Sequence, residues 1–221
     1  MTGAFSPLID RAIELAAEWH DGTYRKSRWR PPAFQHAGGA DPFVPVMTHL
    51  TAVALTVQRA GWDESTVAAA FLHDLLEDPN RERAYFSVEQ LEAEVGPTVT
   101  TYVRAVSERS FAEDGTFRKW IDRKQEYIAV LQTAPVEAVA ISLADKLHNL
   151  WTMNQALASG IDIFQAAPGR KRLSAGPDRQ LWFIDAVLEA TADHDDARLD
   201  PIRIQLYGER DRFAAITEQA S

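Results

Sequence analysis

Residues 67–79 read VAAAFLHDLLEDP: a strongly apolar run that ends in a histidine and three carboxylates. Asp63 stands where a helix N-cap belongs, so the stretch reads as one helix from there to Asp78. At about 100° per residue, His73, Asp74, Glu77 and Asp78 project at about 0°, 100°, 40° and 140°, which gathers an imidazole and three carboxylates on one arc. Leu72, Leu75 and Leu76 take the opposite side and face the core. Carboxylates in a last helical turn oppose the macrodipole by ~0.3–1 kcal/mol each. Two readings follow. A divalent cation compensates the cluster, or the cluster is a solvated acidic helix end and His73 is merely polar.

The chain on either side is also helical, with recognisable caps. Ser6-Pro7 opens a helix whose apolar face is Leu8, Ile9, Ala12, Ile13, Ala16 and Trp19. Helical periodicity resumes near Val46 and stops at Gly61. Ser87 and Gln90 form a capping box, and Gly96-Pro97 closes that helix. Further helices are expected at about 97–109, 117–133, 135–157, 178–193 and 209–219. The alternation of a sheet protein does not recur, so the expected fold is all-α. It is a single helical domain over 1–221, with a core at about 6–160 and C-terminal helices at about 178–219. Between His20 and Val46 runs a long polar loop, from Asp21 to about Pro45, that carries Arg25, Lys26, Arg28 and Arg30. Loops of that length are usually functional or disordered.

Composition narrows the function classes. Of 221 residues 46% are apolar, enough for a core that needs no staple. The 23 basic and 32 acidic residues leave a formal charge of −9, which disfavours non-specific binding to nucleic acid or anionic membranes. An anionic small molecule remains compatible where basic residues cluster, as at 25–30. Cysteine is absent, which excludes thiolate zinc sites and cysteine nucleophiles. No apolar run approaches the ~18–20 residues of a membrane span, and charges at Asp10 and Arg11 come too early for a secretory signal. A cytoplasmic protein is expected. Nothing in the sequence sets an oligomeric state.

Two more stretches carry chemistry. In Asp145-Lys146-Leu147-His148-Asn149, Asp145 and Asn149 share a helix face, with Thr152 a turn further on. The preceding run 139–144, VAISLA, reads as fully buried. An aspartate entering the helix after such a run is costly unless paired, either with a metal or with Lys146 or an arginine. His49 opens an amphipathic helix and faces inward, as a ligand or as a hydrogen-bonded core residue. Together His49, His73, Asp74 and Asp145 form a two-His, two-carboxylate set that suits manganese, iron or zinc and discriminates among them poorly.

These ordered pieces, His49, then His73-Asp74, then Asp145, resemble the HD superfamily of metal-dependent phosphohydrolases. The extended forms, residues 73–78 (HDLLED) and 145–149 (DKLHN), with the upstream His20 and Arg25-Lys26-Ser27, resemble more specifically the hydrolase domain of RelA/SpoT-type proteins. The resemblance covers about 20–153. It implies removal of the 3′-pyrophosphate from guanosine tetra- or pentaphosphate with Mn2+ as cofactor and a nucleotide as the small-molecule partner. It also implies roles: His49, His73, Asp74 and Asp145 as metal ligands; Glu77 and Asp78 as the acidic pair that activates or positions water; Arg25, Lys26 and Ser27 as the nucleotide-holding element; Asn149 and Thr152 as contacts to the ribose and scissile side.

Two departures bear on the substrate. About 22 residues separate Ser27 from His49, where the family has a short turn, and the extra stretch holds Trp29, Arg30, Phe34 and His36. Trp151 stands where the family commonly has arginine, which exchanges a phosphate contact for a stacking face; Arg170-Lys171-Arg172 is a candidate replacement charge. Adenosine analogues of the alarmone, phosphate removal from NADPH, and a non-catalytic nucleotide sensor or a neutraliser of a toxic synthetase are the competing readings.

Overall fold

A computed structural model describes residues 5–29, 43–112, 114–166 and 172–219, and for 26–29 and 43 it describes the backbone alone. The insertion residues Arg30, Phe34 and His36, and Arg170 and Lys171, lie outside the described residues. Among the described residues the fold is all-helical apart from one small sheet. In chain order it runs α1 (Pro7–Trp19), β1 (Tyr24–Trp29), β2 (Phe43–Pro45), α2 (Val46–Arg59), α3 (Glu64–Leu72), α4 (Val88–Val106), α5 (Trp120–Leu131), α6 (Val136–Ala158), α7 (Pro177–Ala190) and α8 (Asp200–Gln219).

The local start signals operate as expected. The Ser6 hydroxyl accepts from the Ile9 N–H at 3.3 Å, with Pro7 at the first helical position. The Asp63 carboxylate accepts from the Thr66 N–H at 2.9 Å and from its hydroxyl at 2.5 Å. Ser87 and Gln90 close a reciprocal capping box. Within α4, Gly96 adopts φ 81° and Pro97 lacks an N–H, so the helix kinks there; a side chain at that left-handed glycine would be strained.

α6 is the central element, buried almost without interruption from Ala138 to Leu147. It packs against α2, α3, α4, β1, α7 and α8. A helix apolar on all sides has to be wrapped by others, and this one is. α3 is equally enclosed, with Thr66 through Leu72 all buried, between α1, α2 and α4. One connected apolar cluster runs from Ala12 in α1 to Phe213 in α8. Each buried leucine in it contributes ~1.5–3 kcal/mol.

Three expectations are corrected. α3 stops at Leu72, not Asp78. Residues 73–78 form successive turns, with Leu75 N–H on the Leu72 carbonyl (2.9 Å) and Asp78 N–H on the Asp74 carbonyl (2.9 Å). Three carboxylates at the negative end of a short helix oppose its continuation, and Pro79 follows directly. The stretch 21–45 is not loop throughout: β1 and β2 pair antiparallel, Tyr24 opposite Pro45 and Trp29 opposite Phe43, with an irregular register between. α8 begins at Asp200 rather than 209, led in by a 3-10 turn at Ala197–Leu199 that the Asp196 side chain caps. Its buried residues Ile202, Leu206 and Phe213 continue a helical stripe from Leu199.

The Asp63 cap holds the entry to α3, the helix that delivers the histidine at its other end. Asp63→Ala is expected to lower unfolding stability by ~1 kcal/mol, read as a lower urea midpoint at unchanged slope. An unchanged midpoint would contradict that role.

Candidate metal centre and adjoining cavities

Three helices deliver four side chains to one point. His49 comes from the first turn of α2, His73 and Asp74 from the turn that ends α3, and Asp145 from the middle of α6. His49 Nε2 lies 3.2 Å from His73 Nε2 and 3.0 Å from Asp145 Oδ1. His73 Nε2 lies 3.3 Å from Asp74 Oδ1 and 3.8 Å from Asp145 Oδ1, and His49 Nε2 lies 3.8 Å from Asp74 Oδ2. Ligand atoms of His49, His73 and Asp74 all fall within 4.8 Å of one another. Both histidines are almost fully buried.

The donor set fits a divalent cation. His73 Nδ1–H donates to the Ala70 carbonyl at 2.8 Å, which leaves the Nε2 lone pair facing the cluster. Two ring nitrogens sharing one ion at ~2.1 Å each stand ~3 Å apart, close to the separation found. Burial, assisted by the Arg25 charge, pushes the His49 pKa down to about 4 despite Asp145 beside it, so the ring is neutral at pH 7 as a ligand must be. Burial alone would raise Asp74, but His73, His49 and Arg25 outweigh it and hold this carboxyl below its usual range.

Asp145 is paired with Lys146, one of the alternatives the sequence offered, and still turns its other oxygen to the cluster. Its Oδ2 accepts from Lys146 Nζ at 2.6 Å, while Oδ1 faces the histidines and accepts from Asn149 Nδ2 at 2.5 Å. Burial opposes the charge on Asp145, yet Lys146 and His49 hold its carboxyl well below the usual range, and Asp145 in turn holds Lys146 well above its own. The Lys146 ammonium also sits 4.5 Å over the Tyr127 ring.

Beside the cluster lies a cavity of about 270 Å³ lined by Tyr24, Arg25, Asp78, Lys124, Lys146 and Asn149, with Trp120, Met153 and Phe183 among its apolar walls. Arg25 donates to Asn149 Oδ1. The strand β1 therefore brings Arg25 to the face of α6 that carries Asp145. The side chains of Lys26 and Ser27, on the same strand, lie outside the described residues. Thr152 does not line the cavity: it is buried and its hydroxyl donates to the Asn149 carbonyl at 2.8 Å. Trp151 stacks on His148, rings 28° from parallel.

The acidic pair divides between two cavities. Asp78 lines the smaller one, and its carbonyl accepts from the Trp19 indole at 3.0 Å. Glu77 lines a second cavity of about 770 Å³ with Tyr85, Phe111, Arg104 and Arg123. Glu77 Oε2 accepts from the Glu108 N–H at 3.3 Å. Burial first, then the charges of Glu108 and Asp74, push the Glu77 pKa up to about 8, against the pull of Lys124. Glu108 is held by Arg123 at 3.1 Å and by Lys124, whose own pKa burial lowers.

Sequence reading assigned no role to Lys124, Glu108 or His148, nor to His20 as an individual group. His20 is buried, with both ring nitrogens lacking a hydrogen-bond partner among the described residues, and it interacts electrostatically with Asp74 and His73. His148 stood in plain view, one helical turn from Asp145. Lys124 and Glu108 meet across 16 positions, and no spacing rule announces such a pair.

Such a histidine and carboxylate centre inside an all-helical bundle is the mark of the HD domain, and the HD-domain family model matches residues 12–165. The chain belongs to that family, and the matched range contains all four candidate ligands. Among curated relatives, it is 30% identical over 145 residues to the GTP pyrophosphokinase of Streptomyces coelicolor, covering 66% of this chain and 14% of that protein. It is 30% identical over 147 residues to the guanosine-3′,5′-bis(diphosphate) 3′-pyrophosphohydrolase of Haemophilus influenzae, covering 63% of this chain and 18% of that protein. The chain thus spans less than a fifth of the length of these relatives. Among solved structures, a metazoan ortholog of SpoT described as hydrolysing ppGpp superposes with a TM-score of 0.64 at 22% identity, over 95% of this chain and 98% of that one. Among the described residues no helix is long and apolar enough to cross a membrane.

The raised pKa of Glu77 makes a stability prediction for the chelator-treated protein. A carboxyl at about 8 when folded, against an ordinary 4.5, stabilises below pH 4.5 and loses that contribution as pH rises through 8. Wild type is therefore expected to lose stability relative to Glu77→Gln between about pH 5 and 9 in urea titrations. Parallel profiles for the two proteins would contradict the assignment.

Proposed function

We propose that the chain is a metal-dependent phosphohydrolase that removes the 3′-pyrophosphate of guanosine tetra- or pentaphosphate, giving GDP or GTP and pyrophosphate. The observation that carries this reading is the His49, His73, Asp74 and Asp145 cluster lying beside a cavity with Arg25, Asn149, Lys124 and Lys146 in its walls. The names of the Haemophilus influenzae relative and the description of the metazoan structure support the same reaction.

Manganese is the ion assigned to the cluster, with those four residues as its ligands. When bound, such an ion polarises a phosphoryl oxygen and lowers the pKa of water. The remaining roles belong to the chain. Arg25 has a planar guanidinium that stacks on a purine or forks onto phosphate, and Asn149 fixes its direction. Lys26 and Ser27, the next residues of β1, complete the nucleotide-holding element. Lys146 stays charged and offsets the polyphosphate charge while holding Asp145 in place. Thr152 supports Asn149 through its carbonyl.

In the reaction, water adds to the 3′-phosphorus, the bond to the ribose O3′ breaks, and that oxygen takes up a proton. Glu77 lines the neighbouring cavity rather than the one beside the cluster, but it feels the Asp74 charge and changes protonation state near neutral pH, the property that a water-activating role requires. Asp78, on the wall of the smaller cavity, positions the water.

Purified protein incubated with ppGpp and Mn2+ is expected to release GDP and pyrophosphate, resolved by ion-exchange chromatography, while GTP, ATP and NADPH stay intact. Asp74→Asn is expected to fall to background. Arg25→Ala is expected to raise KM about tenfold or more, with a smaller change in kcat. Intact ppGpp beside cleaved NADPH would overturn the guanine assignment and leave a phosphohydrolase. No cleavage of any nucleotide by metal-loaded protein would overturn the enzymatic reading.

A further inference from the structure

His49 faces the cluster with Nε2, which leaves Nδ1 to a different partner. His49 Nδ1 lies 2.7 Å from Nδ1 of His148, with the ring planes 37° apart. A contact that short between two imidazole nitrogens is a hydrogen bond with a single proton between them, so one ring donates and the other accepts. His148 sits on α6, three residues after Asp145, so the helix turn that supplies a carboxylate also supplies the partner of a histidine on α2. His148 is also stacked against Trp151, at 5.9 Å between centroids.

We propose that His148 is a positioning residue for the metal centre, setting which nitrogen of His49 carries the proton. The inference rests on the reading of the cluster as a metal site. Two neutral proton arrangements are open to the pair. With His148 as donor, the His49 proton sits on Nε2 and points at Asp145 Oδ1, 3.0 Å away, which satisfies the cluster without a cation. With His148 as acceptor, His49 carries its proton on Nδ1 and turns an Nε2 lone pair toward His73 and Asp145, the form that binds a cation. Both forms are neutral and both keep the bond between the rings. A carbonyl in this position could only accept, as Ala70 does for His73, and would lock a single form. Imidazole can do either, and the Trp151 face keeps it aligned while it does.

The test compares His148→Leu, which fills the space without a polar atom, with His148→Asn, whose amide can accept or donate near the Nδ1 position. The readouts are the Mn2+ dissociation constant, from the free-ion electron paramagnetic resonance signal of the full chain, and the His49 15N shifts of metal-free protein. His148→Leu is expected to weaken Mn2+ binding about 10–100-fold, while the metal-free protein stays folded with its thermal midpoint lowered by the unpaired His49 Nδ1. His148→Asn is expected to restore affinity to within about threefold of wild type. In metal-free protein Asp145 should hold the His49 proton on Nε2 in wild type and both variants, and a metal-free wild type with the proton on Nδ1 would overturn the proposal. Should His148→Leu fail to fold, His148→Ala takes its place in the same comparison. Wild-type affinity in the leucine or alanine variant, or equal losses in the asparagine and leucine variants, would overturn the proposal. Wild type that binds no Mn2+ would overturn the metal-site reading on which it rests.

Discussion

Two aspartates and two histidines meet inside a core built from alanine, valine and leucine, and the arrangement of the helices follows from making that tolerable. An isolated carboxylate in such a medium would take up a proton or pull the structure apart. Asp145 escapes both because each of its oxygens is engaged, one by Lys146 and the other by Asn149 and His49. Lys146 in turn lies over Tyr127, whose hydroxyl donates to Ser142 on α6 itself. α5 is thereby tied to the same few turns of α6 that hold the carboxylate. Removing either partner of the Asp145–Lys146 pair would strand the other.

This explains why the central helix mixes an unbroken apolar run with a short polar stretch. Residues 138–144 need the wrapping of their neighbours, and residues 145–149 need specific polar groups from those same neighbours. α2 answers with His49, β1 with Arg25, and the end of α3 with His73 and Asp74. Ending α3 at Leu72 belongs to the same logic. Turns rather than helix at 73–78 let Asp74 reach the cluster while Glu77 and Asp78 go to two different cavities. Glu77 then lies against Glu108, in a setting that favours its protonated form.

What the sequence reveals depends on the range over which each signal acts. The caps at Ser6, Asp63 and Ser87 were legible because each is a contact between residues three apart. The four candidate ligands were legible because their types and order are distinctive, even though the positions span 49 to 145. The end of α3 was not, since Leu75 and Leu76 prolong a helical pattern that the chain does not follow. β1 was hidden because a strand of Arg, Lys and Ser shows no apolar alternation, and its partner lies beyond an insertion. The clamp on Glu108 by Lys124 and Arg123, and the His49–His148 contact across 99 positions, arise from packing and have no local signature.

The central claim is that one cation belongs among His49, His73, Asp74 and Asp145. Crystals grown with Mn2+ and measured at the manganese absorption edge would test it most directly. A single anomalous peak is expected within bonding distance of both Nε2 atoms and of carboxylate oxygens from Asp74 and Asp145. A peak elsewhere on the chain, or ordered side chains in these places with no peak among them, would contradict the account.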